Sequence, residues 1–154
     1  MRGSILVLGP LIARYYKSKI SLPGGCLIGA RPINYHLNAL EKLGMVYKIE
    51  KGYVYASSHS NLKGAKIIFP KISVGATENA ILASVLASGK TILKNCAIEP
   101  EIKIDLTNFL NKAGAKIKWI GKRSVEIVGV KKLNSVRHSV MAERIECGTF
   151  CVIA

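Results

Sequence analysis

The chain carries one outline twice. "ALEKLGMVYKIEKGYVYAS" (residues 39–57) and "FLNKAGAKIKWIGKRSVEIVG" (residues 109–129) align with Gly44 opposite Gly114, Leu40 opposite Leu110 and Lys42 opposite Lys112. The offset is about 70 residues, so the fold must supply two copies of one supersecondary unit. In each copy an apolar stripe at helical spacing runs into the glycine, a natural helix C-cap. The stripes are Leu37, Leu40 and Leu43, and Leu106, Phe109, Leu110 and Ala113. Alternating apolar and polar segments follow each glycine and read as a β-hairpin. Upstream, each copy shows an apolar helix (Ile5 to Arg14; Ala80 to Ser88) and then a strand (Lys19 to Leu22; Thr91 to Lys94). A strand over Ala65 to Pro70 is expected to close the first unit, and "LNSVRHSVM" (residues 133–141) the second. The expected fold is therefore α/β, with units over 1–70 and 71–141 and a remainder over 142–154.

The copies differ most between the first strand and the second helix. From Ile12 to Gly44 there are about four more residues than from Leu86 to Gly114, and the excess falls in "LPGGCLIGARP" (residues 22–32), where the second copy has only "NCAIEP" (residues 95–100). Loops are where a repeated scaffold acquires function. Cys26 lies in this insertion behind Gly24 and Gly25, with Arg31 following. From the residues alone it is packing filler, a disulfide site, or a reactive thiol beside an anion.

Composition narrows the classes. No stretch reaches the roughly 18 to 20 unbroken apolar residues of a membrane span. The cysteines Cys26, Cys96, Cys147 and Cys151 lack metal-ligand spacing, and no metal or cofactor is expected. Free thiols fit a reducing cytoplasm, and Cys96, Cys147 and Cys151 read as structural. His36 reads as a helix-start residue, His59 and His138 as surface groups, and Trp119 as hairpin packing. The net charge of +14 raises nucleic acid as a partner, but the lysines are dispersed and aromatics are 6%. A basic cleft for a small, multiply anionic substrate and a genome-wide bias toward Lys, Ile and Asn are the two competing accounts.

"SLPGGCLIGARPINYHLNALEKLG" (residues 21–44) resembles the cysteine loop of the UDP-N-acetylglucosamine 1-carboxyvinyltransferases, the enolpyruvyl transferases that open peptidoglycan synthesis. The resemblance continues through "MRGSILVLGPLIAR", "GYVYASSHSNLKGAKI", "KISVGATENAILASVLASGKT", "EPEI", "LTNFLNKAGAKI" and "ERIECGTF". The sister family, the 5-enolpyruvylshikimate-3-phosphate synthases, shares the fold but differs at this loop. The resemblance implies an inside-out α/β barrel lobe of βαβαββ repeats, with helices inside and sheets outside. It implies two of a lobe's three repeats here, and a crossover toward a second lobe over 142–154. Met1 matches an interior methionine of the family, so the chain resembles an internal fragment.

The implied substrates are phosphoenolpyruvate and UDP-N-acetylglucosamine. Cys26 matches the cysteine that acts as general acid toward phosphoenolpyruvate and is alkylated by the epoxide antibiotic fosfomycin. Arg31, Pro32, Ile33, Asn34 and Tyr35 match the segment that contacts the UDP-sugar; the family often has an acidic residue at Asn34. Lys71, Ser73, Val74 and Gly75 match the segment around diphosphate and sugar, where a helix N-terminus would favour an anion. Arg2 matches a substrate-contacting arginine, and Glu143 and Arg144 match the interlobe stretch. "EPEIKIDL" is one residue longer than the family's run, so a bulge or shifted helix start is expected. The groups expected from the other lobe are not in this sequence, which leaves a fragment inactive alone, a UDP-sugar-binding piece or a remnant as alternatives. A separately encoded second lobe is the implied protein partner.

Overall fold

The computed structural model describes residues 2–24 and 33–153. Cys26, Arg31 and Pro32 lie outside the described residues, and of Arg2 only the backbone is described. A 3-10 helix over Arg2–Val7 leads into α1 (Leu8–Tyr15), β1 (Lys17–Ser21), α2 (Asn34–Lys42), β2 (Val46–Glu50) and β3 (Tyr53–Ser57). Then come β4 (Lys66–Ile68), α3 (Val74–Ser84), β5 (Lys90–Lys94), a π-helix over Glu101–Leu106 and α4 (Thr107–Lys112). The chain continues through β6 (Lys116–Gly121), β7 (Ser124–Val128) and α5 (Arg144–Ile153).

The repeat is explicit in the sheets. The first has strand order β1-β3-β2, and the second contains β5-β7-β6 with the same antiparallel pairings. The caps repeat atom for atom. Gly44 N–H donates to Glu41 C=O and Met45 N–H to Leu40 C=O; Gly114 N–H donates to Asn111 C=O and Ala115 N–H to Leu110 C=O. These are Schellman motifs, and both glycines hold the positive φ (104° and 100°) that the motif requires.

Two strand expectations fail. The strand expected to close the first unit, β4, instead pairs in parallel with β5 and forms an edge of the second sheet. Residues 133–141 form no strand. They pass beside α4, and Val136, His138 and Val140 line a cavity there. Val136 and His138 are partly buried and Val140 is exposed, and among the described residues no neighbouring strand takes the backbone groups. The expected bulge at "EPEIKIDL" is the π-helix, which absorbs one extra residue into a helical turn.

Helices α1, α2 and α3 lie inside, whereas α5 has no buried residue. α3 packs on α1 and α2, and Ala76, Ala80, Ile81 and Ala83 are fully buried. Gly9 makes the α1–α3 approach possible, because a Cβ there would stand 2.4 Å from Asn79 Oδ1. Outer sheet faces carry exposed lysines, among them Lys17, Lys19, Lys90, Lys94, Lys116 and Lys118. Much of the positive charge is therefore spread over two solvated sheets. Trp119 on β6 is half-buried, and its Nε1 donates to Thr107 Oγ1 (3.2 Å). No helix among the described residues is long and apolar enough to cross a membrane.

Candidate functional site

The N-terminus of α3 is the best-defined part. Ser73 has the extended backbone of an N-cap, and its Oγ accepts from Ala76 N–H (3.3 Å). Thr77 Oγ1 donates to Ser73 C=O (2.7 Å) and accepts from Ala97 N–H (3.1 Å). Upstream, Asn95 Nδ2 donates to Phe69 C=O (2.9 Å), and Phe69 N–H donates to Lys94 C=O (3.1 Å). The connection after β5 thus holds Lys71–Gly75 from behind. Lys71 and Val74 stay exposed, in front of first-turn amides that lack intrahelical acceptors.

The N-terminus of α2 meets this point. Ile33 is its N-cap, Asn34 is exposed and Tyr35 is half-buried. One position on, His36 is buried, and its Cε1 would lie 3.0 Å from a Cβ on Gly75. Leu6 of the 3-10 helix comes within 3.6 Å of the same point. The three segments bearing Arg2, Ile33–Tyr35 and Ser73–Gly75 therefore share one end of the molecule. Burial lowers the His36 pKa to about 4, so the ring is neutral at ordinary pH. Its Nδ1 lies 3.2 Å from Asn79 Nδ2, a donor-only atom, so Nδ1 is the acceptor and Nε2 carries the proton. Sequence reasoning placed His36 near the nucleotide segment but missed its burial and Asn79. The signals were Gly9 and Gly75, small residues at helix contacts.

Glu143 precedes α5 and Arg144 opens it. Glu143 caps α5, accepting from Glu146 N–H, and Arg144 Nε donates to Glu101 Oε1 (2.6 Å). His138, expected on the surface, is largely buried with Nε2 2.8 Å from Asp105 Oδ1. A cavity of about 450 Å³ lies here, lined in part by Glu78, Glu101, Asp105, Phe109 and His138. Burial, reinforced by Glu101 and Glu99, raises the Glu78 pKa. Among the described residues no group of His, Cys, Asp or Glu is arranged to hold a metal ion.

The thiols divide. Cys96 is fully buried, and desolvation pushes it to about 12, which makes it inert. Cys147 and Cys151 are exposed on α5, against the expectation of structural thiols.

Comparisons with known proteins agree with one another. A family model described as EPSP synthase (3-phosphoshikimate 1-carboxyvinyltransferase) matches residues 1–154. A UDP-N-acetylglucosamine 1-carboxyvinyltransferase of Pelagibacter ubique is 60% identical over 154 residues, covering 100% of this chain and 37% of that protein. The protein of the same name from Pseudoalteromonas atlantica is 52% identical, with coverage of 100% and 36%. The chain thus spans little more than a third of these relatives' length. The enolpyruvyl transferase NikO of Streptomyces tendae superposes with a TM-score of 0.68 at 20% identity, covering 84% of this chain and 30% of that one. An EPSP synthase of Acinetobacter baumannii gives 0.62 at 23% identity, covering 86% and 30%. At such identities the two structures speak for the fold alone.

Proposed function

The chain belongs to the EPSP synthase (3-phosphoshikimate 1-carboxyvinyltransferase) family, and from that membership we propose that it is part of a UDP-N-acetylglucosamine 1-carboxyvinyltransferase. The observation that carries this reading is identity of 60% over all 154 residues to a relative of that name. We assign the enzyme of which it is part the transfer of enolpyruvyl from phosphoenolpyruvate to a UDP-N-acetylglucosamine hydroxyl, in cytoplasmic synthesis of cell-wall precursors, with this chain inactive alone. The division into 1–70, 71–141 and 142–154 belongs to the same proposal.

In this reading Cys26 protonates the methylene carbon of phosphoenolpyruvate. The adjacent carbon gains cationic character, and the sugar hydroxyl attacks it and gives up its proton. Removal of a proton from the new methyl group and departure of phosphate restore the enol ether, so atoms balance. Fosfomycin would alkylate the same thiol. Arg31 holds phosphate through its planar fork. Pro32 to Tyr35 hold the uracil end, and Lys71, Ser73, Val74 and Gly75 the diphosphate and sugar. Arg2 contacts substrate from the 3-10 helix, and Glu143 and Arg144 face the second lobe. Titration of the chain with UDP-N-acetylglucosamine, followed by calorimetry, tests the binding half. Weak binding that Arg31→Ala abolishes is expected. Binding that Arg31→Ala leaves unchanged would count against this site.

A further inference from the structure

Asn79 occupies an unusual place. Its Oδ1 accepts from Gly9 N–H (2.8 Å) and its Nδ2 donates to Ile5 C=O (2.9 Å). Ile5 C=O and Gly9 N–H are the i and i+4 groups that would bond each other in a continuous helix. The Asn79 amide is inserted between them, and the break it makes is where the 3-10 helix becomes α1. The same Nδ2 reaches Nδ1 of His36 in the first turn of α2. Asn79 itself sits on α3, six positions after the Ser73 cap, and is fully buried. One side chain therefore touches all three segments that bear Arg2, Ile33–Tyr35 and Ser73–Gly75.

We infer that Asn79 and His36 form a positioning pair that sets the angle of the Arg2-bearing 3-10 helix and of the first turn of α2 against the α3 N-terminus. The inference rests on the reading of the site given above, and it adds two residues that make no substrate contact. Its logic is saturation. Both polar ends of the amide are engaged, and an amide left unpaired at full burial is costly. No other side chain of similar size both donates and accepts in this way. Aspartate keeps the acceptor for Gly9 but loses the donor for Ile5 and His36. It also places a carboxylate against the imidazole, which favours the protonated ring. Asn79 and Gly75, which meet the His36 ring, and the nearby Leu6 are all untitratable, and burial is the cause that keeps the ring neutral.

The experiment is a nitrogen-15 NMR titration of the full chain and of Asn79→Asp between about pH 5 and 8, where an ordinary histidine titrates. In the wild type the His36 ring should stay in the neutral Nε2–H form over that range. In Asn79→Asp it should titrate within the range. The amides of Gly3–Val7, Ile33–Tyr35 and Ser73–Gly75 should follow with the same midpoint, while those of β6 and β7 stay still. Adding His36→Gln to Asn79→Asp should remove the titration. Should Asn79→Asp fail to fold, His36→Gln and His36→Leu replace it. Glutamine, which keeps an acceptor, should leave the 3-10 helix amides in place, and leucine should move them. If those amides ignore the His36 titration, or if glutamine and leucine behave alike, the inference is wrong. A second arm measures UDP-N-acetylglucosamine affinity. Asn79→Asp should bind about tenfold more weakly below the His36 midpoint than above it. If the wild type binds no UDP-sugar, the proposed function fails, and the NMR titration still decides the positioning role.

Discussion

In the first repeat β1 passes to α2 through residues 22–33; in the second, β5 passes to the π-helix through residues 95–100. Each connection carries one cysteine, Cys26 or Cys96. The shorter connection is fully engaged. Asn95 holds Phe69, Ala97 holds Thr77, and Arg123 Nη1 donates to Cys96 C=O (3.0 Å). Its thiol is buried and pushed up to about 12. The second repeat thus spends its connection on bracing the α3 N-terminus. The first repeat's longer connection is the one on which the proposed chemistry rests. In the proposed function the duplicated frame serves once as buttress and once as bearer of a reactive group.

If the two frames are equivalent, matched truncations should cost alike. Leu40 and Leu110 are both buried cap-helix residues (0% and 3% exposed). Leu40→Ala and Leu110→Ala should each destabilise by about 2–5 kcal/mol in urea unfolding. A loss confined to one of them would break the comparison.

The next effect is asymmetric. With the offset fixed by the two caps, Leu106 stands where the first repeat has His36. The unfolded His36 titrates near 6.5 and the folded one near 4, so the unfolded chain binds the extra proton between those values. Stability from this group is full above pH 6.5 and declines as pH falls to about 4, by roughly 3 kcal/mol. His36→Gln should flatten that part of the stability–pH curve. An unchanged slope would mean that His36 is not the buried titrating group.

Gly44→Ala and Gly114→Ala test the shared caps. Each forces a Cβ into left-handed backbone and should cost about 1–2 kcal/mol. Nothing crowds Gly44 within 4 Å, and Asn134 Nδ2 would lie 3.4 Å from a Cβ at Gly114. The second substitution should therefore cost at least as much as the first. The smallest effect belongs to Glu78, whose raised pKa reflects burial and its acidic neighbours. Glu78→Gln should stabilise the chain slightly at neutral pH in urea unfolding, by less than about 1 kcal/mol after solvent screening. The gain should vanish at acid pH, where the carboxyl is already protonated.

What the sequence made legible follows from where the controlling contacts lie. The Gly44 and Gly114 caps and the hairpins are local, so periodicity and turn residues revealed them. The extra residue near Glu101 was visible as a length mismatch and became the π-helix. β4 was misplaced because three residues cannot say which neighbouring sheet supplies their partner. Val136, His138 and Val140 alternate as a strand would, yet they line a cavity with Phe109 of α4. The Asn79–His36 contact joins residues on two helices and was invisible to pattern. The loop residues Cys26, Arg31 and Pro32 were picked out by motif resemblance.

The central claim is that the first repeat bears the thiol acid of an enolpyruvyl transfer and cannot act alone. The most direct measurement is phosphate release from phosphoenolpyruvate in the presence of UDP-N-acetylglucosamine. It is made with the chain alone, and with a polypeptide carrying the remainder of the Pelagibacter ubique relative. Preorganised charge stabilisation is often the largest catalytic contribution, and loss of one such donor costs about 100- to 1000-fold. The account predicts no measurable release from the chain alone, release on adding the remainder, and loss of that release in Cys26→Ala. Turnover by the chain alone, or undiminished turnover in Cys26→Ala, would contradict it.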